Sequence, residues 1–132
     1  MNTTNKILSE ISAGELMDKI TILEIKKVKI TDPEKQAIIN QELDSLHITF
    51  QASLTPSPEL EEQIIKLKNI NLALWDIEEE KRECERQKDF GDTFVQLARS
   101  VYIENDNRAK IKAEINRLTN STISEVKSYK AY

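Results

Sequence analysis

An all-α fold is predicted by three features of this sequence. Apolar residues recur every three or four positions over long stretches, cap residues open those stretches, and 132 residues hold only two glycines and three prolines. Such stretches, folded back on one another, give long antiparallel helical hairpins forming a four-helix bundle or an elongated coiled-coil-like bundle. The length suits a single helical domain over residues 1–132.

Residues 1–11 read as a loose N-terminal arm whose apolar pair, Ile7 and Leu8, can dock. The first helix is expected over 13–30. Ser12 can accept from the Glu15 amide while Glu15 reaches back to the Ser12 amide, and Ile11 can staple onto Leu16. Its face is broad, with Leu16, Ile20, Leu23 and Ile30 flanked by Met17, Ile22, Ile25 and Val28, so contact on two sides is expected. Asp32 as cap with Pro33 behind it starts the second helix, 33–53, with the seam Ile39, Leu43, Leu46 and Phe50. Ser57 and Pro58 start the third, 58–88, which carries Leu60, Ile64, Leu67, Ile70, Leu74 and Ile77 and then turns almost wholly charged. A turn around Gly91 leads into the fourth helix, 92–119. The tail, 120–132, is either a short helical turn capped by Thr122 and Glu125 or an extended arm.

The fourth helix organises the chain. Phe94, Leu97, Val101, Arg108, Ile111, Ile115 and Leu118 follow helical spacing. Beside them Arg99, Tyr102, Asn105, Asp106, Lys112 and Asn116 form a polar stripe at the margin of the buried seam. In a hairpin about Gly91 the first half of this helix faces the charged half of the third. Phe94, Leu97, Val101 and Ile103 are therefore interface candidates that a second copy or a partner helix would cover. The stripe has two readings. Arg99, Arg108 and Lys112 can bind a small anion, with Tyr102 and Asn105 orienting them. Alternatively the stripe pairs internally with Glu15, Asp18, Glu78 or Glu79. The internal network is preferred.

Other chemistries find little support. Glu15 and Asp18 lie one turn apart, and Glu78, Glu79, Glu80, Glu83 and Glu85 add carboxylates, but the latter alternate with Lys81, Arg82 and Arg86 as on a solvated face. No metal site and no cofactor are assigned. His47 and Cys84 are single, the thiol lies between two glutamates, and two glycines form no phosphate loop. A net charge of −4 disfavours nucleic acid, despite the basic aromatic tail of Lys127, Tyr129, Lys130 and Tyr132. No apolar run is long enough for a bilayer, and a lone cysteine suits a reducing compartment, so a cytoplasmic, membrane-free protein is expected.

Three blocks then carry a resemblance: SAGELMDKITILEIK from Ser12 to Lys26, LWDIEEEKRECE from Leu74 to Glu85, and LARSVYIENDNRAKIKAEIN from Leu97 to Asn116, the last followed by SEVKSY from Ser124 to Tyr129. Together they resemble a family of small bacterial and phage-associated helical proteins known only as a domain of unknown function. The resemblance implies a helical protein with no established activity. Its blocks contain Glu15, Asp18, Lys19, Glu24, Arg99, Tyr102, Asn105, Asp106, Arg108, Lys112 and Asn116. The function expected from the residues is a non-enzymatic helical interaction or scaffold module that self-associates. The alternative is a small helical-bundle enzyme or anion-binding protein using the Arg/Lys/Asn cluster of the last helix.

Overall fold

The computed structural model describes residues 5–131. The fold is all-α, with four helices packed against one another and no strand among the described residues. They are α1 (Ala13–Lys29), α2 (Pro33–Ser53), α3 (Pro58–Gln87) and α4 (Asp92–Leu118). The described parts of the N-terminal arm and C-terminal tail, 5–12 and 119–131, are not helical. The described part of the tail thus forms no further helix. Residues 1–4 and 132 of these segments lie outside the described residues.

Side chains set the helix starts. Ser12, Asp32 and Ser57 each accept from the amide three residues on, and Pro33 and Pro58 occupy first-turn positions where no intrahelical amide is needed. Gln36 of α2 donates to the carbonyls of Lys27 and Ile30, closing the last turn of α1. The α3–α4 turn falls where expected, between Gln87 and Asp92. Lys88, not Gly91, adopts the left-handed conformation, at φ 55°, and the Asp89 amide closes onto the Cys84 carbonyl. Gly91 has an ordinary φ of −81° and only caps α4.

α1 is the central element. It packs against α2, α3 and α4, whereas α2 packs on α1 alone. Leu16, Met17, Ile20 and Leu23 of α1 share one core with Ile39 and Leu43 of α2, Leu60 and Leu67 of α3, and Ile115 of α4. Leu60, Leu67 and Ile115 are wholly enclosed, each contributing about 2 kcal/mol by leaving water. The expected breadth of the α1 face ends short of Val28, which is exposed, and Ile11 is exposed rather than stapled. At about 1.5 Å per residue, α3 and α4 run roughly 40–45 Å and α1 only about 25 Å, so α1 covers little more than half of the hairpin.

The position of α1 is set by a close approach at its first turn. A Cβ on Gly14 would stand 2.6 Å from the Lys112 carbonyl oxygen and 3.0 Å from Asn116 Oδ1, so only glycine lets the backbones of α1 and α4 meet there. The same contact satisfies the amides that the helix itself leaves open. Gly14 donates to Asn116 Oδ1 at 2.7 Å, Ala13 to Ser121 Oγ at 3.3 Å and Glu15 to Ser12 Oγ at 3.1 Å. Gly14→Ala is expected to lower stability by about 2 kcal/mol in urea denaturation, because the obstructing atom belongs to a helix backbone that cannot rotate away. A variant as stable as the native chain would show that the two helices can part freely.

Candidate functional site

The polar stripe of α4 reaches its partners through residues on α1 and α3. Asp18 and Thr21 lie one turn apart on α1, 7% and 0% exposed, against Asn71 of α3 at 5%. Asn71 Nδ2 donates to Asp18 Oδ1 at 2.9 Å and to Thr21 Oγ1 at 3.0 Å, while its Oδ1 accepts from Arg108 Nη1 at 3.2 Å. Both amide hydrogens and the amide oxygen are engaged, so the orientation of Asn71 is fixed. Thr21 turns its own hydroxyl toward the carbonyls of Met17 and Asp18. Arg108 Nη2 donates to Asn105 Oδ1 at 2.8 Å. The guanidinium is therefore held between two neutral amide oxygens, and no carboxylate lies within ion-pair distance of it among the described residues.

Lys112, one turn further along α4, has the opposite environment. Its side chain is 12% exposed, and its ammonium lies 2.9 Å from Glu15 Oε2, 3.3 Å from Glu125 Oε1 and 3.8 Å from Asp18 Oδ2. Burial works against the charge, but the Glu15 hydrogen bond and the three nearby carboxylates outweigh it and raise the Lys112 pKa above its ordinary 10.5. In return the Lys112 hydrogen bond lowers the Glu15 pKa below 4.5, against that carboxylate's own partial burial. The Glu15 carboxylate, expected to reach back to the Ser12 amide, is instead spent on α4.

The stripe read from the sequence thus divides. Glu15, Asp18, Lys112 and Arg108 join one network, and Asn116 anchors the start of α1. Arg99 bonds only Gln96 on the exposed surface, and Lys19 is exposed beside Glu15. Tyr102, Asn105 and Asp106 border a groove of about 780 Å³ between α4 and the tail. Ser121 and Glu125 tie that tail back to Ala13 and Lys112, but the groove's outer wall is not a packed helix. Among the interface candidates, Phe94, Leu97 and Val101 are half-buried, and Phe94 meets Phe90 edge-on at 5.4 Å. Ile103 is exposed at 37% and neighbouring Val95 at 48%.

Arg108 also faces a cleft of about 480 Å³ between α1 and the hairpin. Ile22, Ile25, Leu74 and Trp75 give it apolar walls, Asn71 and Arg108 its polar end, and Lys26, Glu78, Glu79 and Arg82 the rest of its lining. Trp75 is half-buried here, and its indole N–H has no protein acceptor among the described residues. Asn71, Thr21 and Trp75 were missed as site residues. A signal existed: Asn71 stands between Leu67 and Leu74 at a spacing where the α3 seam calls for an apolar residue. No group of three or more His, Cys, Asp or Glu suited to a metal occurs among the described residues, and none of their helices is long and apolar enough to cross a membrane.

The depressed Glu15 pKa gives a pH signature. Its pairing stabilises the fold above the carboxylate's unfolded pKa and is lost as pH falls through the lower folded value. Glu15→Gln is expected to melt at a lower temperature than the native chain at pH 7, with the gap closing below about pH 4.5 as the native carboxylate protonates. The raised Lys112 pKa keeps the ammonium charged throughout this range, so the pH dependence here comes from the carboxylate side of the pair. A gap of equal size at pH 7 and pH 3 would contradict the assignment.

A search of curated proteins and a search of solved structures each gave no match. The model of one protein family matches residues 7–132, which includes the capped start of α1, the whole network and the cleft. On that match over nearly its whole length, the chain belongs to the family of unknown function DUF6165.

Proposed function

We propose that this protein is a non-enzymatic helical binding module whose working surface is the cleft between α1 and the α3–α4 hairpin. The observation that carries this reading is the state of Arg108. The guanidinium is held by Asn71 and Asn105 through neutral oxygens, with no carboxylate within ion-pair distance among the described residues, at the polar end of an apolar recess. Ion-pair networks inside proteins normally give a cation a carboxylate, as Lys112 receives three. The cleft volume falls within the range of about 300–1,000 Å³ usual for ligand sites, and its walls come from two packed elements. Cys84 is buried in the hairpin and His47 lies on α2, which contributes nothing to the cleft lining, so neither supplies a nucleophile or a base there.

A second reading, self-association through the start of α4, has its own support in exposed Val95 and Ile103 beside half-buried Phe94, Leu97 and Val101. Each reading has its own test. Trp75 is the only tryptophan, so energy transfer from it to the dye 8-anilinonaphthalene-1-sulfonate reports dye in the cleft. Saturable one-to-one binding is expected, weakened at least tenfold by the cleft-filling change Ile22→Phe with melting unchanged. Dye binding indifferent to Ile22→Phe would remove the cleft reading, and a constant monomer mass by light scattering on dilution would remove self-association.

A further inference from the structure

We infer that the occupant of this cleft is a small amphipathic monocarboxylate, with its carboxylate on Arg108 and its aliphatic or aromatic body along Ile22, Ile25, Leu74 and Trp75. This rests on the reading of the cleft as the binding surface.

The hydrogen-bond inventory of Arg108 defines the head group. A guanidinium carries five N–H donors, of which Asn71 takes one on Nη1 and Asn105 one on Nη2. Three donors remain in the rigid plane, enough for the two parallel bonds that a carboxylate accepts. The two asparagines pin that plane before any ligand arrives, so little side-chain freedom is lost on binding. Asn71 is itself pinned by Asp18 and Thr21, which extends the rigidity into the core of α1.

Charge around the cleft is mixed beyond Arg108, which favours a ligand with a single negative group. Glu78 and Glu79 share the lining with Lys26 and Arg82, so a second anionic oxygen cluster would meet carboxylates as well as cations. Glu78 is paired with Lys81 at 3.4 Å and is not released by a ligand without cost. A dianionic phosphate or a dicarboxylate is disfavoured on this ground, and an amine meets Arg108 with like charge. The walls supply the remaining contacts. Two isoleucines, a leucine and the face of an indole reward each methylene moved out of water, so affinity rises severalfold for every two carbons added. The free indole N–H of Trp75 is a further donor on the same wall.

The test uses the full chain and four eight-carbon probes with one tail: octanoate, octanol, octylamine and octyl phosphate. Each is titrated while Trp75 emission and displacement of bound 8-anilinonaphthalene-1-sulfonate are followed. Octanoate is expected to bind at least tenfold tighter than octanol or octylamine and tighter than octyl phosphate, with hexanoate weaker. Arg108→Gln is expected to abolish the advantage of octanoate over octanol. The comparison of head groups on the native chain decides the matter even where that variant does not fold. Equal binding of octanol or octylamine, or tighter binding of octyl phosphate, overturns the monocarboxylate. Failure of all four probes to displace a dye that Ile22→Phe does exclude also overturns it, and leaves the cleft reading standing. Failure of the dye itself to respond to Ile22→Phe overturns both.

Discussion

The contact of Gly14 with the backbone of α4 is the constraint on which the other interactions depend. Two helix backbones approach there more closely than any side chain larger than hydrogen permits, and the amides of Ala13, Gly14 and Glu15 find acceptors on Ser121, Asn116 and Ser12. A helix start is ordinarily a ready anion site. Here its donors are already used, so the field of the α1 terminus is closed to ligands and serves assembly. With that end of α1 fixed, the next turns bring Asp18 and Thr21 against Asn71. The far end of α1 is fixed separately, by Gln36 and the start of α2.

Two cations one turn apart on α4 then meet opposite surroundings. Lys112 sits under the first turn of α1, where Glu15 and Asp18 converge and the tail adds Glu125. Arg108 sits one turn further from that end, where α1 offers Ile22 and Ile25 and only amide oxygens are within reach. The first arrangement neutralises its charge internally. The second leaves charge at a boundary between apolar walls and water, and there the chemistry of recognition can differ from the chemistry of packing.

Much of the fold was legible because its signals are local. Ser12, Asp32 with Pro33, and Ser57 with Pro58 act within one helical turn, and the seams of Leu60, Leu67, Leu16 and Ile20 repeat at the period of the helix. The turn after α3 was legible in place but not in conformation: the left-handed position fell to Lys88, and nothing in the sequence separates a lysine that adopts it from one that does not. The candidate site was legible in part. Glu15, Asp18, Arg108 and Lys112 were found because helical spacing gathers them on single faces. Asn71 and Thr21 were passed over because each reads as one polar interruption of an apolar seam, and only the crossing of α1 over α3 shows that the interruptions meet. The division of the stripe between network and cleft depends on where α1 ends relative to the hairpin, a tertiary distance that no local pattern encodes.

Amide hydrogen exchange at Gly14 tests the central claim most directly. Helix-terminal amides without acceptors exchange through fraying, whereas an amide held by a buried side chain of another helix opens only with the larger unit. In the native chain the Gly14 amide should exchange about as slowly as core amides near Leu67 and Ile115, and in Asn116→Ala it should exchange many times faster while those core amides stay slow. A Gly14 amide that exchanges in the native chain as fast as an unprotected helix end would contradict the account.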